Sequence, residues 1–310
     1  MRDSKTVLIV GFGDTGKRVA HLVKRQYRVI ALIRKPDKAR EARRMGIQVV
    51  RGDLDQPHSL KALNQIGQLA GLRVCHFAPP PSKGIRDTRT RNLIAALWPA
   101  KPTAKRAMLS RVPPPRLLYV STSGVYGDCG GSRVDETRPL NPKTARARRR
   151  VDAERTLVNV ARRTQVRLSV LRAPGIVSES RLPLERLRRG TPALAAEDDV
   201  YVNHIHAEDL ARAAVAALRL ARRGRVFNCV DDRPQKMADY FDRIAMRAGL
   251  PKPTRVTRLV AEHTIPATLY SFMDESRRLS NARLKRELKF QLRFPSVDML
   301  LDQVFGPTNA

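Results

Sequence analysis

Cysteines, aromatic residues and acidic side chains are all scarce in this chain of 310 residues. Its three cysteines, Cys75, Cys129 and Cys229, are far apart and odd in number, which argues against a disulfide framework, and no pair has zinc-ligand spacing. Such usage is typical of a reducing compartment, so we predict a cytoplasmic protein. No apolar run approaches the ~18 residues of a membrane span and no signal peptide is visible, so we expect no membrane partner.

The shortage of acidic residues leaves a large excess of positive charge. Only 29 aspartates and glutamates stand against 60 lysines and arginines, which gives a net charge of +31. Phosphate-rich partners attract such proteins. However, the basic residues are spread along the chain, and the densest run, residues 143–150, has no interleaved aromatic residues on which bases would stack. No helix-turn-helix or zinc-finger pattern is present, so we expect an anionic small-molecule substrate and no specific nucleic-acid partner.

The most informative segment is Gly-Phe-Gly-Asp-Thr-Gly at residues 11–16. It follows Thr6–Val10, a short β-branched run typical of a buried parallel strand, and it precedes apolar residues at helical spacing. A strand, a G-x-G-x-x-G turn and a helix in this order form the fingerprint of a dinucleotide site. In this fingerprint Gly11 permits the tight turn, Gly13 lets a pyrophosphate approach the backbone, and Gly16 lets the helix pack on the strand.

Residues after the next three predicted strands indicate which dinucleotide fits. Arg34 follows the second strand, where NAD enzymes usually carry an acidic residue, and its guanidinium can hold a ribose 2′-phosphate. We therefore favour NADP, with NAD possible, over the alternative that Arg34 is one more surface arginine. Asp53 either contacts the adenine amino group or caps a turn, and the small Ala78 lets backbone lie against the cofactor. The predicted contacts from these motifs are Gly11, Gly13, Asp14, Thr15, Gly16, Arg34, Lys35, Asp53, Leu54 and Ala78.

Strand-like runs alternate with helical patterns, among them predicted helices at His58–Leu63 and Thr88–Leu97, through the first two-thirds of the chain. This rhythm predicts an α/β fold with a doubly wound parallel sheet of the Rossmann type. We predict an NAD(P)-binding domain at residues 1–176, to which residues 201–230 return. A small, mostly helical C-terminal substrate lobe is predicted at residues 177–200 and 231–310. The proline-rich stretch Pro99–Pro115 predicts a surface loop.

Four further segments carry a family resemblance. Residues 119–127 match an SS-x-x-VYG signature, residues 171–176 resemble LR-x-x-x-(I/V)YG, residues 203–211 resemble IHV-x-DLA, and residues 279–288 resemble SN-x-K-x-x-x-LG. Together with the glycine fingerprint, these segments make nearly the whole chain similar to extended and atypical short-chain dehydrogenases/reductases. Within that group the chain resembles the NAD-dependent epimerases/dehydratases, among them the nucleoside-diphosphate-sugar epimerases.

The resemblance implies redox chemistry by a Ser/Thr, a Tyr and a Lys, the last two spaced Y-x-x-x-K on one helical face. Thr122 falls at the Ser/Thr position. None of the six tyrosines has a lysine four residues later, and the alignment puts Arg146 at the Tyr position and Arg150 at the Lys position. Arg150 can replace the lysine as a fixed charge and ribose donor. Arg146 cannot replace the tyrosine as a proton carrier, because a guanidinium is not deprotonated.

This departure from the family pattern leaves three interpretations open. The chain is an enzyme with a relocated acid, for which Tyr126, His204 and His206 are candidates, an enzyme with another proton path, or a catalytically silent NADP-binding sensor. The His204-x-His206 spacing fits a strand-to-helix junction better than a metal site, so no metal is expected. In the substrate lobe, Arg186 and Arg189 either clamp a diphosphate or lie on a solvated face, and His204 is a further candidate for substrate contact.

The leading prediction is an oxidoreductase or epimerase that acts on a phosphorylated or nucleotide-linked sugar. This prediction is based on the dinucleotide fingerprint, Thr122 and the basic substrate lobe. We expect a monomer or a homodimer. The alternative is the catalytically silent regulatory protein, and it is based on the arginine at the Tyr position.

Overall fold

The structure, a computed structural model, describes residues 5–99 and 113–307, so most of the predicted loop Pro99–Pro115 lies outside the described residues. The strands are β1 Thr6–Val10, β2 Arg28–Ile33, β3 Gln48–Arg51, β4 Arg73–His76, β5 Arg116–Thr122, β6 Arg133–Val134, β7 Arg167–Ala173, β8 Gly175–Val177, β9 Ala193–Leu194, β10 Tyr201–Val202, β11 His204–His206, β12 Arg225–Asn228, β13 Gln235–Lys236, β14 Arg255–Val256 and β15 Arg278–Leu279. The helices are α1 Asp14–Val23, α2 Pro36–Arg44, α3 Leu63–Gly67, α4 Thr88–Leu97, α5 Ala145–Arg163, α6 Leu184–Arg188, α7 Ala207–Leu220, α8 Met237–Arg247, α9 Arg258–Thr264, α10 Ala267–Tyr270, α11 Ala282–Leu288 and α12 Val297–Phe305. Single 3-10 turns cover Pro57–Leu60, Ser123–Tyr126 and Glu179–Arg181.

Seven parallel strands form the central sheet, in the order β3-β2-β1-β4-β5-β7-β12. Their apolar sequences explain this arrangement, since every residue of β1 and all but the first of β2 are buried, as in sheets covered on both faces. The predicted Rossmann-type doubly wound sheet is therefore confirmed. The strand order reverses between β1 and β4, which pair with Val10 opposite His76. In such sheets ligands bind outside the carboxyl ends of the strands at the reversal.

The chain divides into two units, of which the first holds the central sheet. This unit runs to Thr122 and also contains Ala145–Arg172 and Ala211–Phe227. Leucines and isoleucines of β1, β2 and β5 are buried in one cluster with Leu157 of α5. Among the described residues, no helix combines the length and the apolar character needed to cross a membrane.

The second unit contains Ser123–Thr144, Ala173–Leu210 and the residues from Asn228 onward. Its core packs residues of α8 such as Ile244 against α9, α12 and β9. Four two-stranded ladders complete it: β8 with β11, β9 with β14, β10 with β13, and β6 with β15. The helices were expected from the sequence, whereas these ladders were not. The role of this unit as a substrate lobe stays a prediction.

Candidate functional site

The turn between β1 and α1 lies at the reversal point of the sheet. Gly11 has a φ of +96°, and a Cβ on it would lie 2.4 Å from the backbone nitrogen of Ala78, so only glycine fits. A Cβ on Gly16 would lie 2.4 Å from the carbonyl oxygen of Gly11 and 3.3 Å from Ile9, because α1 packs directly on β1. A Cβ on Gly13 would meet no heavy atom within 4 Å. The outer two glycines thus serve the fold, and the middle one leaves space open.

Helix α1 begins directly at this turn. Gly13 precedes it and offers no side chain to cap the helix, so the N–H groups of the first turn and the positive end of the helix dipole face the turn. Such an end attracts phosphate. Asp14 lies in the first turn, but Arg18 pairs with its carboxylate at 3.0 Å and offsets its charge. Thr15 is buried beside it.

A cavity of about 250 Å³ lies at the carboxyl ends of β1 to β4. Its lining combines apolar side chains with cationic ones, which is the chemistry that suits a nucleoside bearing phosphate. The predicted cofactor contacts that line this cavity are Gly11, Arg34, Lys35, Asp53, Leu54 and Ala78. The structure therefore brings together in one cavity residues that follow four different strands, and these residues fit a dinucleotide.

Charges at the rim of the cavity are linked in a network. Arg89 holds the Asp55 carboxylate with two hydrogen bonds of 2.6 and 2.7 Å and donates to the carbonyl of Pro79 at 3.1 Å. The hydrogen bond from Arg89 lowers the pKa of Asp55. Arg34 lies farther away, 3.5 Å from Asp53 and 3.9 Å from Asp55, and its side chain is 56% exposed. The guanidinium of Arg34 therefore remains open to an incoming anion.

Asp53 also shapes the loop after β3. Its Oδ1 accepts the backbone N–H of Asp55 at 3.0 Å, and its own N–H donates to Ser59 Oγ at 2.8 Å. The turn-forming alternative for Asp53 is thus present in the structure. Because its second carboxylate oxygen faces Arg34, the predicted adenine contact is compatible with this turn and stays a prediction.

Helix α5 carries both arginines that the resemblance aligns with the family's Tyr and Lys. Arg150 is half-buried and donates from Nη1 to the carbonyl of Val120 at 2.9 Å and to the hydroxyl of Tyr119 at 3.0 Å. These bonds fix its charge beside β5, whose last residue is the half-buried Thr122. Arg146 is exposed one turn earlier on the helix.

Tyr119 is a site-shaping residue that sequence reasoning misses. It is fully buried, and burial raises the pKa of its phenol, so it keeps its proton and orients Arg150. In the sequence, an aromatic residue within an apolar strand predicts only a core residue. Its hydrogen-bond partner Arg150, which shows that Tyr119 also orients a side chain of the site, lies 31 residues further along the chain.

The three candidates for a relocated acid are all buried. Tyr126 donates its hydroxyl to Oδ1 of Asn228 at 2.8 Å. The ring of His204 lies 4.2 Å from that of Tyr240, centroid to centroid, and burial lowers the pKa of His204 to about 4. The geometry gives these two side chains packing partners, and their roles as acid or substrate contact stay predictions.

His206 ends β11 at a junction with α7. Its Nδ1 accepts the backbone N–H of Glu208 at 3.3 Å, and its ring packs 3.7 Å from that of Phe294. This arrangement agrees with the predicted strand-to-helix junction. Within residues 5–99 and 113–307, no group of three or more His, Cys, Asp or Glu side chains is arranged to hold a metal ion.

Arg186 and Arg189 lie at α6 with different partners. Arg186 is half-buried, donates to the carbonyl of Pro192 at 2.7 Å, and lies 4.4 Å from the ring centroid of Phe241. Arg189 is exposed and pairs with Glu185 at 2.8 Å. Their role as a diphosphate clamp stays a prediction.

A glycine turn, an apolar cavity with a cationic rim and a reversal in strand order define a dinucleotide-binding protein of the Rossmann type. The chain belongs to the NAD dependent epimerase/dehydratase family, which residues 7–229 match. Protein YeeZ of Escherichia coli K12 is 31% identical over 140 residues, which are 45% of this chain and 48% of that protein. The match thus spans about half the length of this curated relative.

Solved structures extend the similarity over the whole chain. A functionally unknown conserved protein from Silicibacter pomeroyi DSS has a TM-score of 0.76 at 28% identity, over 97% of this chain and 98% of that one. The UDP-glucose 4-epimerase of Thermotoga maritima, solved with UDP-glucose, has a TM-score of 0.73 at 16% identity over 97% of both chains. The UDP-glucuronic acid 4-epimerase of Bacillus cereus, solved with NAD, has a TM-score of 0.70 at 16% identity over 97% of both chains. The two epimerases share the fold with this protein.

Proposed function

We propose that this protein binds NADP and acts as an oxidoreductase or epimerase on a phosphorylated or nucleotide-linked sugar. The observation that carries the proposal is the cavity at the carboxyl ends of β1 to β4, with Arg34 where NAD sites usually have a carboxylate. Membership of the NAD dependent epimerase/dehydratase family supports the dinucleotide. The UDP-glucose bound by the Thermotoga maritima epimerase of the same fold supports the substrate class.

Charge supports NADP over NAD. Arg34 and Lys35 are exposed at the cavity, and the carboxylates near Arg34 are those of Asp53 at 3.5 Å and Asp55 at 3.9 Å. A ribose 2′-phosphate brings negative charge and acceptor oxygens, for which a guanidinium fork is the best protein partner. NAD offers only a 2′-hydroxyl, which a carboxylate would bind better.

Reversing the charge of Arg34 tests this assignment. Arg34→Glu should weaken NADPH binding about 10- to 100-fold, the effect of losing a charge-assisted hydrogen bond and adding repulsion. NADH binding should change little or improve. Fluorescence titration of the two dinucleotides measures both affinities, and Arg40→Glu, an exposed arginine on α2 outside the cavity lining, is the matched control. Equal NADPH affinities for Arg34→Glu and the unmodified protein would refute the assignment.

The remaining roles fall to residues of β5 and α5. When bound, the dinucleotide supplies or accepts a hydride. Thr122 would hold the reacting oxygen of the substrate, and Arg150, fixed by Tyr119 and Val120, would take the ribose-holding role of the family lysine. Arg146 would stabilise an oxyanion or a phosphate, although it cannot hand over a proton.

One observation favours the second candidate, a catalytically silent NADP-binding regulatory protein. The hydroxyl of Tyr126 is bonded to Asn228 in a buried position. Burial lowers the pKa of His204 to about 4, which disfavours the imidazolium form that would act as a general acid near pH 7. Both observations argue against these two side chains as replacements for the missing phenol near neutral pH.

Hydride-transfer assays distinguish the two functions. Once NADPH affinity has been titrated, nucleotide sugars and simple carbonyls are screened for oxidation or formation of NADPH. An enzyme turns over at least one of them and loses that turnover in Thr122→Ala, with NADPH affinity preserved. Tight NADPH binding without turnover, unchanged in Thr122→Ala, would establish the silent protein instead.

Restoring the family pair gives a sharper test of α5. The double substitution Arg146→Tyr and Arg150→Lys recreates Y-x-x-x-K at the same helical spacing. Because a positioned general acid contributes about 100- to 10,000-fold, we expect hydride transfer to rise by at least roughly tenfold, with a new dependence on phenol ionisation in the pH profile. The single substitution Arg146→Tyr is the control and should gain less. No gain in a double variant that still binds NADPH would show that α5 does not present these positions to the substrate.

A further inference from the structure

The amino ends of the central strands carry a row of arginines. Five strands of the central sheet begin with one: Arg28 in β2, Arg73 in β4, Arg116 in β5, Arg167 in β7 and Arg225 in β12. We call these five residues the amino-edge row. Neighbouring strands are about 4.8 Å apart, so the row extends over roughly 24 Å from β2 to β12.

The register of the sheet puts Arg73, Arg116 and Arg167 at one level, with Arg28 one residue away and Arg225 further along its strand. Arg73 is the direct partner of Arg116 across β4 and β5. Arg28 is the partner of Thr6 in β1, and Arg73 lies opposite the next residue of that strand. The backbone of Arg167 donates to the carbonyl of Pro115, one residue before Arg116.

A second group of arginines follows α7 and adds positive charge to this edge. Arg222 and Arg223 are exposed there. With Arg167, Pro114 and Gln165 they line a depression of about 500 Å³. The cationic surface is therefore concave at one end of the amino-edge row.

Neutral groups hold the guanidinium groups of this edge. Arg28 donates two hydrogen bonds to the side-chain oxygen of Gln48, at 2.6 and 3.0 Å. Arg73 donates to the carbonyl of Gly71 at 3.1 Å and also lies over the ring of Tyr27. These partners order the side chains without cancelling their charge.

Four arginines of the row have no acidic partner in the part of the chain that the structure describes. Within the described residues, none of Arg28, Arg73, Arg116 and Arg167 forms an ion pair, whereas Arg89 and other arginines of the chain do. Burial and then the neighbouring charges of Arg167 and Arg73 lower the pKa of Arg116. Helix C-termini at this edge contribute about half a negative charge each, which is too little to balance the row.

We propose that the amino-edge row binds the phosphate backbone of duplex nucleic acid without reading its sequence. Each strand of a duplex has a charge about every 3.4 Å along the axis, so a row of roughly 24 Å spans about seven phosphates per strand and can contact those that face it. A single strand would need aromatic platforms, but Arg73 and Arg219 lie over the ring of Tyr27, 5.1 and 5.9 Å from its centroid. The predicted dinucleotide cavity is at the opposite, carboxyl edge of the same sheet, so a duplex on the row would leave that cavity accessible.

Fluorescence anisotropy with a labelled duplex of about 20 base pairs and mixed sequence tests the proposal. The variant Arg28→Gln, Arg167→Gln and Arg222→Gln removes three exposed charges. Since each lost phosphate contact reduces the slope of log K against log salt by about 0.9, the slope should become shallower by roughly 2 to 3. Affinity near 0.1 M salt should fall at least about tenfold. The double variant Arg167→Gln and Arg222→Gln should show part of the same effect.

The matched control removes three exposed arginines elsewhere, in Arg43→Gln, Arg155→Gln and Arg188→Gln. This control variant should keep its affinity for the duplex within about twofold of the original protein. Saturating NADPH should also leave the duplex affinity of the original protein within about twofold, because NADPH does not contact the row. Equal losses in the control and the row variant would overturn the proposal and leave only net charge. Binding of phosphatidylserine vesicles in place of the duplex would also overturn it, because the row would then be a lipid-binding edge.

Discussion

At the scale of single residues, the three glycines of the fingerprint differ in what they tolerate. A Cβ on Gly11 or on Gly16 would lie only 2.4 Å from a backbone atom, so the folded chain itself requires glycine at both positions. Gly13 has an extended backbone, with a φ of −86°, and open space around its Cα. Packing therefore does not require glycine at this position, and the predicted approach of a pyrophosphate would explain it.

Two alanine substitutions separate these roles. Gly13→Ala should change the free energy of unfolding by less than about 0.5 kcal/mol, yet weaken NADPH binding at least about tenfold, because a methyl group occupies the space that a pyrophosphate needs. Gly11→Ala should instead lower the thermal unfolding midpoint strongly, through the clash with Ala78 and the positive φ. Thermal unfolding and NADPH titration measure both effects. Unchanged NADPH affinity in Gly13→Ala would contradict the dinucleotide site.

At the scale of secondary-structure elements, the sequence predicts the parts that local signals determine. Strand β1 and helix α4 have the predicted bounds, Thr6–Val10 and Thr88–Leu97. Helix α4 begins where Asp87 accepts the N–H of Thr90 at 3.0 Å, a capping interaction within four residues. The predicted helix His58–Leu63 is wrong in detail, since a 3-10 turn at Pro57–Leu60 precedes α3.

Elements that depend on distant partners are not predictable in this way. Strand β9 has two residues, and its partner β14 lies some sixty residues along the chain. No local pattern encodes such a ladder. A cavity at the carboxyl ends of the strands follows from the predicted fold, because the ends of parallel strands converge there. Its role as the cofactor site stays a prediction. The bond between Arg150 and Tyr119 is not predictable from the sequence, since it depends on how α5 packs on β5.

Helix α11 ends in a backbone conformation that its C-cap residue does not favour. Its C-cap, Lys289, has a φ of +50° and a ψ of +40°, the left-handed conformation that a glycine would adopt without strain. Among the described residues it is the only non-glycine with a positive φ. The helix therefore has a left-handed ending at a residue that does not favour it.

Lys289→Gly should accordingly stabilise the protein by about 0.5 to 1 kcal/mol, because relief of left-handed strain outweighs the added freedom of the unfolded chain. Arg286→Gly, inside the same helix, is the control and should destabilise by about 1 kcal/mol. Urea unfolding at pH 7 measures both. Destabilisation by Lys289→Gly would show that the lysine side chain contributes more than its backbone costs.

At the scale of the whole molecule, buried histidines make stability depend on pH. Burial and the nearby charge of Arg150 lower the pKa of His76 from 6.5 to about 3, and burial lowers that of His204 from 6.5 to about 4. Between these pKa values and 6.5, the two histidines are protonated in the unfolded chain but neutral in the folded chain. The free energy of unfolding therefore decreases as the pH falls. Buried Asp231 acts in the opposite direction, because burial raises the pKa of its carboxyl.

A difference measurement isolates one histidine from these opposing groups. From pH 7.5 to pH 5, His204 should cost the folded state about 2 kcal/mol, at about 1.4 kcal/mol for each pH unit below 6.5. His204→Gln removes this term, so the stability of the variant relative to the original protein should rise by about that amount over the interval. Urea unfolding at both pH values measures the change, with exposed His58→Gln as the matched control. A constant difference between His204→Gln and the original protein from pH 7.5 to 5 would mean that the His204 ring takes up its proton as easily in the folded chain as in the unfolded one. The packing against Tyr240 would then not exclude the charged form.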